Sequence, residues 1–254
     1  MYGLPCEDRI NMNRIVQMSQ LGYFGRFGNQ IFQYIFARAY AEKYNAILEI
    51  PVWVGQKIFK NVEHPRISTQ LPMTKLDTIP WGSVNVDLFG YYQKKECFDI
   101  ISETKVRNWL QFQDRWIDYF KKREEVNVVA HIRKGDYVSS YANIFCEITR
   151  KSYLDACEKF KISKDHITWL SEENQIYDSR LDVDIQFLSD FFLMINADVL
   201  LRANSTFSFW TGFFNKNKVY SPVVSGKVGL QDVTFVEGNT TSILTNNPEF
   251  CFNL

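Results

Sequence analysis

Residues 15–50 constrain the fold of this chain more than any other stretch. Residues 15–21 alternate enough between apolar and polar side chains to predict a strand. A turn bearing Gly22, Gly25 and Gly28 follows. Residues 30–44 then place Ile31, Ile35 and Ala39 beside Phe32, Phe36 and Tyr40, each set recurring every fourth residue, which predicts an amphipathic helix. Residues 46–50 are a short apolar run closed by Pro51 and predict a second strand. Strand, glycine turn, helix and strand within this span are the parts of a βαβ unit, which needs roughly 30 residues or more.

The rest of the chain extends this pattern. Pro51, Pro65, Pro72 and Pro80 interrupt residues 51–83 and predict irregular backbone. Residues 84–92 predict a strand and 97–122 a helix. The charge cluster at 121–125 is either a solvated helix end or a linker. Beyond it, strands are predicted at 126–132, 166–170, 199–201 and 218–220, with helices at 152–160, 188–195 and 205–214. Such alternation predicts parallel sheets covered by helices. The expected fold class is α/β, with two facing Rossmann-like units divided as 1–125 and 126–254. Ligands of such folds bind outside the carboxyl ends of the strands.

Composition narrows the function. The 254 residues suit one large domain or two small ones sharing a cleft, and 46% hydrophobic content supplies ample core. Lys and Arg total 29, matched by 29 Asp and Glu, so no basic excess points to nucleic acid. The five cysteines, at 6, 97, 146, 157 and 251, include no C-x-x-C pair, which argues against a disulfide framework or a zinc cluster. No apolar run approaches the roughly 18 residues of a membrane helix. Arg9 and Arg14 stand where a signal peptide would need its apolar stretch. A cytoplasmic protein is the expectation.

Three sites carry chemistry-bearing residues just after predicted strands. In the first, His131-Ile132-Arg133-Lys134-Gly135-Asp136-Tyr137, alternation puts His131 and Arg133 on the same side of the strand. Arg133 offers a planar donor fork suited to phosphate, or it pairs with a carboxylate; His131 addresses the same ligand, or is a satisfied core histidine. In the second, Asn204-Ser205-Thr206-Phe207-Ser208 lies between a strand and a helix. Its N–H groups and hydroxyls suit an anion, or Ser and Thr simply cap the helix. The third is Gly25-Arg26-Phe27-Gly28-Asn29-Gln30, whose glycines allow close ligand approach and whose Asn29 is either a ligand residue or a helix cap. It lacks the G-x-G-x-x-G spacing of a nicotinamide site. Asp182 and Asp184 form a D-x-D pair that could hold a divalent metal.

Taken together, these motifs resemble glycosyltransferase family 11, the α-1,2-fucosyltransferases, within the wider fucosyltransferase set that shares an H-x-R motif. The resemblance rests on Gly25 to Ala37, on Gly90-Tyr91-Tyr92-Gln93, on His131 to Tyr137, on Asp190 to Met194 and on Ala203 to Trp210, in that order. Lys134, Arg26-Phe27, Ala197-Asp198-Val199 and Phe209 depart from the family pattern. The string from Gly25 to Gln30 also resembles a loop of protein O-fucosyltransferases.

The resemblance implies a GT-B-type enzyme that inverts at the sugar carbon and requires no metal or other cofactor. It implies transfer of L-fucose from GDP-fucose to a glycan acceptor, a β-galactoside, in α-1,2 linkage. Residues 1–125 would mainly hold the acceptor and 126–254 the donor. The resemblance gives Gly25, Gly28, His131, Arg133, Asp190, Asn204, Ser205 and Thr206 to the donor, and Arg133, Asp136 and Asn29 to catalysis. Within that set His131 and Asp190 would read guanine, and Arg133 would take the β-phosphate. The base is left open between Asp136 and Glu147.

Overall fold

The computed structural model describes residues 14–121, 128–135, 148–224, 240–246 and 249–250. Its first sheet has the order β2-β1-β3, with β1 Ile15–Gln17, β2 Ile47–Glu49 and β3 Val86–Asp87, all parallel. The helix α1, Phe27–Lys43, crosses from β1 to β2. Strand, turn, helix and strand thus follow the predicted βαβ order. The first strand is shorter than expected because the chain folds back at once: Leu21 N–H donates to Met18 O and Phe24 N–H to Gln20 O.

The second sheet contains β4 Val128–Ile132, β5 Ile167–Ser171, β6 Val199–Leu201, β7 Lys218–Val224, β8 Thr240–Asn246 and β9 Glu249–Phe250. Their order is β5-β4-β6-β7-β8-β9, parallel except for the final β8–β9 pair. β4 lies between β5 and β6 and is buried along its whole length, as its Val-Val-Ala run requires of an interior parallel strand. Between these strands run α6 Arg150–Lys159, α7 Leu188–Asn196 and α8 Thr206–Phe214.

Three expectations are corrected. Residues 51–83 contain a helical turn, α2 Gly55–Ile58. The helix predicted over 97–122 is three short ones, α3 Lys95–Phe98, α4 Glu103–Trp109 and α5 Asp114–Tyr119. The break between the last two has a tertiary cause. Phe112 forms a β-bridge with Phe59, and the Gln113 amide donates to Gln56 O and Phe59 O. Pairing with the segment around α2 outweighs helix propensity, which is a weak preference.

The predicted strand over 84–92 shrinks to two residues. Asp77 Oδ1 takes the N–H groups of Tyr91 and Tyr92 at 2.6 and 3.0 Å, so that stretch hydrogen-bonds a side chain instead of a strand. The main apolar core joins both halves. Phe32, Ile35 and Phe36 of α1 belong to the same buried cluster as Leu188 and Phe191 of α7 and Phe209, Trp210 and Phe213 of α8. Among the described residues, no helix is long and apolar enough to cross a membrane.

Candidate functional site

The carboxyl ends of β1, β4, β5 and β6 and the N-termini of α1 and α8 open on one cleft of about 1350 Å³. That exceeds the roughly 300–1,000 Å³ of pockets for drug-sized ligands. Gly25, Gly28 and Asn29 line one wall, and His131, Arg133 and Asp190 line another. Asn204, Ser205 and Thr206 complete the lining at the start of α8. Every described residue expected to serve donor binding or catalysis is therefore in this cleft. Asp136 and Glu147 lie outside the described residues.

The glutamines of the glycine motif have structural work. Gln30 Nε2 donates to Gly25 O and Gln33 Nε2 to Phe24 O, both at 2.9 Å, so helix side chains staple the preceding loop. Asn29 does not cap α1. The N-cap is Arg26, without a side-chain cap bond, and Asn29 stands inside the first turn. Gln93 Nε2 donates to Asn29 Oδ1 at 3.0 Å. That bond orients the Asn29 amide and leaves its Nδ2 group as a donor that a ligand could meet.

Gly28 is dictated by a close approach. A Cβ there would sit 2.5 Å from Phe207 N, and Gly28 O accepts from Trp210 Nε1 at 3.1 Å. The N-terminus of α1 thus presses directly on that of α8. Two helix N-termini, each carrying partial positive charge, converge on one space, which favours an anion there.

Ser205 does cap α8: its Oγ accepts from Ser208 N at 3.2 Å. Capping uses a lone pair and leaves the O–H to donate, so the two readings of Ser205 are compatible. Ile132 packs in a separate apolar cluster with Val128 and Ala130, while His131 and Arg133 line the cleft, as strand alternation requires.

Electrostatics distinguishes these side chains. Burial, reinforced by Arg133, lowers the pKa of His131 to about 3, so the ring is neutral. Its Nδ1 meets Ser208 Oγ. Burial also raises Asp190 to about 6, against the opposing effect of its hydrogen bond from Ile176 N at 3.0 Å. A carboxylate so poorly compensated gains from any ligand that brings it further donors. Arg133 pairs with Glu172, and Arg26 reaches the same Oε1 atom. The carboxylate pairing of Arg133 is therefore real, and it occurs inside the cleft.

Asp182 and Asp184 already share a cation, the Lys57 ammonium. Lys57 Nζ lies 2.7 Å from Asp184 Oδ2 and 3.6 Å from Asp182 Oδ2. Among the described residues, no three His, Cys, Asp or Glu side chains gather as a metal site. Sequence reasoning missed Arg26 and Glu172 as site residues. Arg26 had a signal, since it departs from the motif it interrupts; Glu172 followed a predicted strand and was passed over.

Comparisons with known proteins bear on the same architecture. No family model matches the chain. It is 35% identical to an alpha-1,2-colitosyltransferase of Escherichia coli over 109 residues, which cover 36% of this chain and 37% of that relative. The match thus spans little more than a third of the relative's length. The crystal structure of NodZ alpha-1,6-fucosyltransferase co-crystallized with GDP superposes with a TM-score of 0.50 at 13% identity, covering 95% of this chain and 99% of that one. A structure of fucosyltransferase NodZ from Bradyrhizobium gives a TM-score of 0.47 at 12% identity, over 78% and 91% of the two chains. The chain has an α/β, GT-B-like fold with parallel sheets, the fold of the NodZ fucosyltransferases.

Proposed function

We propose that this protein is a glycosyltransferase that takes its sugar from a GDP-activated donor, with GDP-fucose as the donor and a β-galactoside hydroxyl as the acceptor in α-1,2 linkage. One observation carries the reading: a buried, under-compensated carboxylate, Asp190, shares a cleft with the Arg133 guanidinium and the N-termini of α1 and α8. Ionised Asp190 suits guanine, which presents N1–H and N2–H side by side. Arg133 and the start of α8 suit a diphosphate. The relative named for colitose transfer and the GDP-bound NodZ fold support the same class of chemistry.

In this reading the acceptor oxygen attacks the sugar carbon from the face opposite the diphosphate, and the linkage inverts. The leaving diphosphate gains negative charge, which Arg133, the Ser205 and Thr206 donors and the Asn29 amide meet with fixed dipoles. The Arg133 charge and the neutral donors beside it stabilise the leaving group in this reading, which invokes no metal. The acceptor is held mainly by the first unit, residues 1–125, and the donor mainly by 126–254. Asp136 and Glu147, just past the H-x-R motif, are the candidates to take the acceptor proton.

The test is donor turnover. Purified protein is incubated in chelator with GDP-fucose, GDP-mannose or UDP-galactose, with and without lactose-type acceptors. The expected result is GDP release from GDP-fucose, increased by the β-galactoside and lost in Arg133→Ala. Turnover of UDP-galactose alone, or loss of all turnover in chelator, would contradict the reading. An activated colitose is the second donor to try, because the 35% identical relative is named for that sugar.

A further inference from the structure

Three charged groups from distant parts of the chain meet in the cleft. Arg26 is the N-cap of α1, Arg133 follows β4, and Glu172 follows β5. The Nη1 atoms of both arginines bond the same atom, Glu172 Oε1. Their side chains are not equally exposed, 66% for Arg26 against 14% for Arg133. Arg133 is therefore fixed in the wall, while Arg26 reaches in from the rim on the opposite unit.

One carboxylate oxygen held by two guanidinium groups stands where a charged, non-bridging phosphate oxygen would be held. Position 135 is shaped around this carboxylate. Gly135 has φ +56°, and a Cβ there would run into Glu172 Oε2. The same cleft is also lined by Asn29, Ser205 and Thr206, which offer amide and hydroxyl donors.

We propose that Arg26 and Arg133 form a two-arginine clamp for the donor's diphosphate, and that Glu172 is its resident counter-ion, displaced when the nucleotide binds. The proposal rests on the nucleotide reading above and adds to it a residue, Arg26, that the H-x-R motif does not contain. Two guanidinium groups held side by side repel unless an anion stands between them. Glu172 supplies that anion when no nucleotide is bound and keeps both forks aimed at one point. A diphosphate carries more charge and more acceptor oxygens, so it takes the arginines and leaves Glu172 to solvent. Because Arg26 belongs to the first unit and Arg133 to the second, the same exchange ties donor binding to the apposition of the two walls.

The clamp makes predictions of opposite sign for its members. Equilibrium binding of GDP and of GMP is measured by titration calorimetry on wild type, Arg26→Ala, Glu172→Gln and Arg133→Ala, with thermal unfolding of each as a check on folding. Arg26→Ala is expected to weaken GDP at least fivefold and GMP less than twofold, since GMP lacks the β-phosphate. Glu172→Gln removes the competitor and is expected to tighten GDP severalfold, a gain that Arg26→Ala in the same chain reduces. If Arg26 and Glu172 only held the fold, both variants would weaken GDP and GMP alike, and that result overturns the clamp. Weakening by Arg133→Ala, with Arg26→Ala and Glu172→Gln both within twofold of wild type, overturns the clamp and keeps the nucleotide reading. Absence of GDP binding by wild type overturns both.

Discussion

The two helices that open on the cleft treat their N-termini in opposite ways. α8 is capped from within: Ser205 Oγ takes the Ser208 N–H, and Ser208 Oγ in turn accepts from Ala203 N at 3.1 Å and meets His131 Nδ1. α1 has no side-chain cap, no acidic residue in its first turn, and an arginine at the N-cap. A helix N-terminus is ordinarily quieted by an oxygen, and a cation there is unfavourable by a few tenths of a kcal/mol or more. α8 begins as a finished structural element that also offers donors. α1 begins with positive charge left over, and the carboxylate that answers it, Glu172, comes from 146 residues away in sequence. The self-satisfied end holds the site's shape, and the unsatisfied end is where an anion gains most.

The comparison can be broken at several points. The largest effect is expected for Arg133→Ala, which removes the donor proposed to face the diphosphate. Loss of a comparable oxyanion donor costs about 3 kcal/mol or more in the transition state, so kcat/KM for GDP-fucose should fall at least a hundredfold.

Asp190→Asn comes next, and it separates binding from folding. The raised pKa of Asp190 means that burial disfavours its ionised form, so folding loses stability as pH rises from the ordinary carboxylate range through about 6. At pH 7.5 the asparagine should unfold at a higher temperature than wild type. It should also bind GDP ten- to a hundredfold more weakly, because charge-assisted hydrogen bonds of about 1.5–3 kcal/mol are lost.

Gly28→Ala tests the contact between the two N-termini themselves. With a Cβ 2.5 Å from Phe207 N, one helix must shift. Overpacking of this kind costs about 1–3 kcal/mol, visible as a lower denaturation midpoint. The smallest effect is expected for Ser205→Ala. Losing a cap should lower stability by about 1 kcal/mol, and kcat/KM should fall less than in Arg133→Ala because the α8 backbone donors remain.

How much of this was legible in the sequence follows from how local each signal was. The βαβ opening, the buried strand at Val128–Ile132 and the helix at Thr206–Phe214 were readable from periodicity, because their packing is written into neighbouring residues. The strand ends were therefore readable too, and with them His131, Arg133 and Ser205. The helix predicted over 97–122 failed where Phe112 pairs with Phe59, a contact no local window contains. The strands β8 and β9 were not anticipated in a stretch rich in Thr and Asn. In the site, capping by Ser205 was legible and the role of Asn29 as a cap was not upheld. The meeting of Arg26, Arg133 and Glu172 was illegible, because it joins residues separated by 146 and 39 positions.

The most direct test of the cleft as a guanine nucleotide site is GDP affinity measured from pH 5 to 8 in wild type and in Asp190→Asn. The nucleotide's own phosphate also titrates near pH 6, and the asparagine variant isolates that contribution. In the proposed reading ionised Asp190 accepts from both guanine N–H groups, whereas the protonated acid would compete as a donor. Wild-type affinity should therefore rise more steeply than that of the variant up to about pH 6 and then run parallel to it, with UDP bound weakly by both. Identical pH profiles for the two proteins, or equal affinity for UDP and GDP, would contradict the account.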